Sequence, residues 1–349
     1  MGKPTLEDLR VTTEVSLPGD FLSVVREPKT GDLFIGNSFG KIYRVDLSLG
    51  RKDPYPRLID AHVSYVSGLE LAGDSLISSG SDHRLVWWDQ ETHEQKREIT
   101  DHPKWIRQLA LSGDQGLVAS VCDDMIARLF SADTGKLIRE LRGGHEILNP
   151  YQLPSKLYSC TFSPDGKLLA TADQAGRMVV WEVPSGKKLT TLEAPLFCTW
   201  DTNGHTYGGI RSIDFSPDGK LLAAGGNLAG DTSNVGGSKS LIQIYNWETG
   251  EQTHDFRVGG NFFYERVKFH HEHEWLLGAA GAGSQNKLVF FDLKKKEIAH
   301  QVSSGMLTFD LAVSPQSDTF YAAGRRGSST VGTMGTLVQW DLKWRLEAF

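Results

Sequence analysis

The sequence predicts an all-β protein: seven four-stranded antiparallel sheets closing into a ring, as one domain over residues 1–349. Three observations carry this expectation. The nonapeptide FSPDGKLLA occurs twice, at Phe162–Ala170 and Phe215–Ala223. Seven short apolar runs, 42 to 64 residues apart, each end on an apolar or aromatic residue followed by a polar one. An alternating segment near the amino end, Leu9–Leu17, belongs to none of the seven units.

The nonapeptide is a hairpin. In its centre, SPDG, proline presets its own φ, aspartate can bond nearby backbone, and glycine accepts positive φ. Alternating residues precede the turn and an apolar run follows it, which marks two paired strands. The third strands read IYRVD, LVWWD, ARLFS, MVVWE, IQIYN, LVFFD and LVQWD. Their markers are Val45, Trp88, Phe130, Trp181, Tyr245, Phe291 and Trp340, in steps of 43, 42, 51, 64, 46 and 49 residues. Tight turns such as DTGK, PSGK and ETGE then lead to a fourth, more polar strand. A histidine often precedes the next unit: His62, His102, His145 and His205. The last unit ends at WRLEAF without a clear fourth strand, so Leu9–Leu17 is expected to supply it and join the two termini. One such sheet cannot bury both faces; radial stacking buries them and leaves only short edges.

These strand ends, the period and the four strands per unit resemble the WD-repeat β-propeller family across essentially the whole chain. Literal Trp-Asp stands at two of the strand ends, Trp88-Asp89 and Trp340-Asp341. The resemblance implies a seven-bladed β-propeller that binds protein or peptide partners without catalysis. It also implies that His62, Ser79, Asp82 and Trp88 form a buried structural network, although Ser, His and Asp together also suggest a hydrolase. The network reading is preferred because buried polar groups are tolerated when they satisfy one another. His102, Ser120 and Asp124 repeat the pattern with Phe130 in place of tryptophan, Ala175 stands where aspartate is expected, and the first unit has neither histidine nor aspartate.

Composition narrows the classes. Hydrophobic content of 39% and charged content of 23% suit a real core, and a net charge of −6 argues against nucleic-acid or anionic-membrane binding. No run of 18 apolar residues occurs, and MGKPTLEDLR lacks the apolar core of a secretory signal. Three scattered cysteines, Cys122, Cys160 and Cys198, lack metal spacing and fit a reducing compartment, so a cytoplasmic location is expected. The run HHEHE (His270–Glu274) falls in a hairpin turn, where neighbouring side chains splay apart instead of converging on a metal. The glycine-rich stretches Gly225–Ser240 and Gly324–Thr336 have no helix after them to cradle a phosphate. No catalytic residue, cofactor or metal is therefore expected.

An up-and-down meander puts its turns on alternate ends. The turns between strands one and two, and three and four, are short almost everywhere; the irregular segments fall at the other end, between strands two and three or between sheets. They comprise Glu146–Lys156, Phe197–Gly208, Asn227–Ser238, Gly281–Asn286 and Arg325–Met334. Loops on a rigid scaffold carry binding residues, and aromatic and arginine side chains dominate interfaces. The candidate partner-binding residues are Tyr65, Trp105, Arg107, Tyr158, Phe197, Trp200, Tyr207, Arg211, Phe263, Arg325 and Arg326, with Tyr151 beside them. The expected function is a scaffold, alone or as a subunit of a larger complex. The alternatives are a lactonase-like propeller hydrolase and a small-ligand sensor at the central channel.

Overall fold

The computed structural model describes residues 6, 9–47, 57–145, 155–200, 206–229, 239–260, 262–270, 274–283, 285–314, 319–327 and 334–342. It is a seven-bladed β-propeller. Blade one comprises Phe21–Arg26, Leu33–Asn37, Lys41–Val45 and Arg57–Asp60; blade two Val66–Ala72, Ser75–Gly80, Leu85–Asp89 and Gln95–Ile99. Blade three comprises Ile106–Leu111, Leu117–Cys122, Ala127–Ser131 and Leu137–Leu141; blade four Leu157–Phe162, Leu168–Asp173, Arg177–Glu182 and Lys188–Glu193. Blade five comprises Thr206–Phe215, Leu221–Leu228, Lys239–Asn246 and Gln252–Val258; blade six Phe262–Phe269, Trp275–Gly283, Lys287–Asp292 and Glu297–Ser303. Blade seven comprises Leu307–Val313, Thr319–Arg326 and Met334–Leu342, with Leu9–Pro18 as its outer strand. Blade five also carries a fifth, three-residue strand, Cys198–Trp200, paired with the start of Thr206–Phe215.

The first strands of successive blades touch around the whole ring, blade seven meeting blade one, so they line a central channel. The core is divided into seven apolar clusters, one at each junction between neighbouring blades. All seven marker residues are buried within them. This is the apolar surface that one sheet could not cover alone.

The repeated nonapeptide folds the same way twice. Ser163 Oγ donates to Asp165 (2.7 Å) and accepts from Leu168 N (3.0 Å), while Gly166 takes φ 69°. Ser216, Asp218, Leu221 and Gly219 reproduce this at 2.7 Å, 2.9 Å and φ 72°. The turn is thus held by its own side chains and fixes the register of both strands.

Closure follows the expected route. Leu9–Pro18 runs antiparallel to Met334–Leu342, from Leu9 opposite Leu342 to Pro18 opposite Met334. Ser16 and Thr336 share a hydrogen bond of 3.2 Å, and Arg326 pairs with Glu14.

Candidate functional site at the channel mouth

The innermost strand of every blade contains a β-bulge at its start. The register breaks fall at Phe21/Ser23, Val66/Gly68, Ile106/Gln108, Leu157/Ser159, Ile210/Ser212, Tyr264/Arg266 and Thr308/Asp310. A bulge leaves one residue unpaired and re-aims its side chain. The seven bulged residues are Leu22, Ser67, Arg107, Tyr158, Arg211, Glu265 and Phe309, and all of them line one open cavity of about 230 Å³ at the channel mouth. Tyr65 and Trp105, 49% and 43% exposed, complete its rim.

The turns between strands two and three clasp this rim. Ser81 N donates to the Tyr65 carbonyl and Asp123 N to the Trp105 carbonyl, both at 3.0 Å. Gly40 has φ 76°, and a Cβ there would collide with the His62 carbonyl, so only glycine lets this turn press on the segment that carries Tyr65. Phe39 and Val63 lie on the same face, 55% and 88% exposed.

Across blades three to six the mouth is a ladder of stacked arginines and rings. Arg107 lies over Trp105 (4.8 Å) and Tyr158 (5.2 Å), and Arg211 over Tyr158 (4.7 Å) and Phe263 (5.3 Å). The two arginines differ in charge balance. Arg107 makes a bidentate pair with Asp123, 2.6 Å on each arm. Arg211 makes no ion pair among the described residues, and its buried Nε has no hydrogen-bond partner.

Five of the candidate residues, Tyr65, Trp105, Arg107, Tyr158 and Arg211, therefore meet at one cavity, with Phe263 packed against the last of them. Phe197 requires a correction: it is wholly buried in the cluster between blades four and five, where no partner reaches it. Its carbonyl would clash with a Cβ at Gly208 (φ 94°), so only glycine fits against it there. Arg325 and Arg326 are also placed differently, held by Asp20 (3.2 Å) and by Glu14 across the closing strands of blade seven. Trp200 and Tyr207 sit on paired strands with Thr199 opposite Tyr207; their side chains, and Tyr151, lie outside the described residues. Leu22, Ser67, Glu265 and Phe309 escaped the sequence reading.

The apparent catalytic set is a packing device, with one residue corrected. His62 Nδ1 bonds Asp82 at 2.9 Å and His62 Nε2 bonds Ser78 Oγ at 2.8 Å, while Trp88 Nε1 donates to the same hydroxyl at 2.9 Å. The hydroxyl is that of Ser78, not Ser79, whose Oγ lies 3.2 Å from Ser67 Oγ on the other face of the strand. Ser78 is fully buried and its oxygen already accepts from the indole, so no substrate can approach it. Blade four builds the same network from His145, Asp173, Thr171 and Trp181, each link 2.8–2.9 Å. Asp173, two residues before Ala175, supplies the carboxylate that the sequence reading found missing. In blade three His102 keeps Ser120 (2.8 Å), but Asp124 turns to Arg128 (2.7 Å), so the expected Asp124 link to His102 is absent. Burial, then repulsion from Arg128, lowers the His102 pKa to about 4.

Comparison with known proteins agrees with this architecture. The family model "WD domain, G-beta repeat" matches residues 93–131, 136–182 and 196–232. The chain carries WD repeats within a seven-bladed β-propeller. The first two matches each begin at the outer strand of one blade and end on the third strand of the next. A WD-repeat chain read in this frame starts one strand early, which is the offset that Leu9–Pro18 resolves by closing blade seven. Relatives include rat (Rattus norvegicus) apoptotic protease-activating factor 1, 28% identical over 58% of this chain and 14% of the relative. Meiotic recombination protein rec14 of Schizosaccharomyces pombe is 28% identical over 48% of this chain and 50% of its own length. Chicken (Gallus gallus) WD repeat-containing protein 1 is 25% identical over 53% of this chain and 36% of its own. The chain thus spans half or less of each of these relatives.

Within the propeller the cysteines are unreactive by environment: burial raises the thiol pKa of Cys122 and Cys198 to about 12 and that of Cys160 as well. Of HHEHE, His270 is buried and stacked on Trp275 at 4.2 Å, while His271, Glu272 and His273 lie outside the described residues.

Proposed function

We propose that this WD-repeat propeller is a non-catalytic docking platform for a protein or peptide, and that the partner seats on the channel mouth. The observation that carries the reading is the set of seven bulges, each aiming one side chain into a single cavity rimmed by exposed Tyr65 and Trp105. Exposed rings and arginines on a rigid frame are the residue types that anchor partners. The same reading keeps the protein in the cytoplasm, where its three free thiols stay reduced.

The test compares proteins captured by the native chain and by Tyr65→Ala combined with Trp105→Ala. Both rings are half exposed, so the double variant keeps its melting temperature. It loses at least one protein that the native chain enriches. Capture of the same set by both chains would remove the mouth as the docking surface.

A further inference from the structure

Within the mouth, one side chain is left electrostatically incomplete. The Arg211 guanidinium lies over the Tyr158 and Phe263 rings, 4.7 and 5.3 Å from their centres. Its Nε is buried without a hydrogen-bond partner, and Arg211 lines the cavity. Three other cations of the inner strands are matched, Arg107 by Asp123, Arg266 by Asp310 at 2.7 Å and Lys268 by Asp214 at 2.9 Å; Arg26, at the far end of its strand from the bulge, is not among the cavity residues. Glu265, the bulged residue of the next blade, forms no ion pair with Arg211 among the described residues although both line the cavity. Stacking between rings fixes a guanidinium plane and leaves its edge as a preorganised fork for a planar anion. Beyond the ladder the surface turns apolar, with Tyr65, Phe39 and Val63 exposed on blades one and two.

We propose that the mouth recognises an acidic peptide segment, whose aspartate or glutamate carboxylate is held edge-on by Arg211 while neighbouring apolar side chains cover Tyr65 and Trp105. This rests on the docking reading above and adds the chemical class of the partner. A single carboxylate suffices, because one guanidinium is uncompensated. Glu265 disfavours additional negative charge beside it, and so separates a single carboxylate from a polyanion such as RNA.

The experiment selects a phage-displayed random dodecapeptide library on the full chain, then measures the selected peptides by fluorescence anisotropy. Selected peptides share an acidic residue beside apolar ones. Arg211→Gln weakens them about ten-fold or more, the value of a lost charge-assisted hydrogen bond. Arg326→Ala, which alters an arginine held by Glu14 and not among the cavity residues, leaves them within about two-fold, and Glu265→Gln tightens them. Raising salt weakens binding to the native chain, a readout that needs no variant. A shared basic residue with sensitivity to Glu265→Gln would overturn the acidic class and leave the docking reading intact. Binding of a uridine dodecanucleotide that is lost in Arg211→Gln would overturn it in favour of RNA. Peptides that bind equally to native chain and to Tyr65→Ala with Trp105→Ala would overturn the docking reading itself.

Discussion

Val11, near the amino end of the chain, pairs across the outer two strands of blade seven with Trp340, near the carboxyl end. The ring is closed by this noncovalent clasp, and its outermost strand comes from the opposite end of the sequence.

Removing residues 1–18 would therefore expose the whole Met334–Leu342 edge and take Glu14 from Arg326 and Ser16 from Thr336. The truncated chain should aggregate, as unpaired edges do. Size-exclusion chromatography with thermal unfolding checks this, and a monomer with unchanged melting temperature would contradict the clasp.

Ser78 and Ser79 are adjacent and chemically alike, yet should respond differently. Ser78→Ala leaves the Trp88 indole N–H and His62 Nε2 without their shared buried partner, at a cost of about 1–3 kcal/mol. Ser79→Ala removes a longer contact to Ser67 and should cost less, under about 1 kcal/mol. Urea unfolding of both variants decides it; equal losses would show that the network has been misplaced by one residue.

His102 sets an acid limit. Native His102 takes up its proton only near pH 4, whereas the ordinary value is 6.5. Between these values the unfolded chain binds more protons, so stability is complete above pH 6.5 and is lost as pH falls toward 4, by roughly 3 kcal/mol. Unfolding midpoints of the native chain should fall more between pH 7 and pH 4.5 than those of His102→Gln. Parallel profiles would remove His102 as the cause.

Glu70 acts at the alkaline side. Enclosure in the channel, and Asp310 to a lesser degree, raise its pKa to about 8, against the pull of Lys268. The unfolded carboxyl ionises from 4.5 upward while the native one stays protonated, so stability is lost as pH rises from 4.5 to 8. Glu70→Gln should match the native chain near pH 4 and exceed it above pH 8 by about 1–3 kcal/mol. A variant less stable at pH 8.5 would mean that Glu70 is held there as a charged partner.

The periodic features of the fold were legible because turns and strand ends are local. FSPDGKLLA carries its own hydrogen-bonding side chains, and Leu9–Leu17 alternates cleanly without a sheet of its own. Arg107, Tyr158 and Arg211 were legible as rim residues by type. Leu22, Ser67, Glu265 and Phe309 were not, because a bulge breaks the two-residue alternation from which side-chain direction is read. Ser78 and Ser79 could not be separated without knowing that Leu76 faces Trp88 and Ser78 faces Val86 across the strands. Asp173 was missed because it reaches its histidine from the strand end, two positions before the place that an aligned repeat suggests. Arg325 and Arg326 look free in sequence because their carboxylates lie some 300 residues away, at 305 and 312 positions.

The central claim is that partners seat on the face bearing the bulge ring. It is tested by placing a benzophenone amino acid at position 105 on the rim and, separately, at position 167 in the blade-four turn between strands one and two. The side chain at position 167 is 76% exposed on the opposite face. Irradiation in the presence of a captured partner should give a covalent adduct from position 105 and none from position 167. An adduct from position 167 alone would put the docking surface on the other side of the ring and contradict the account.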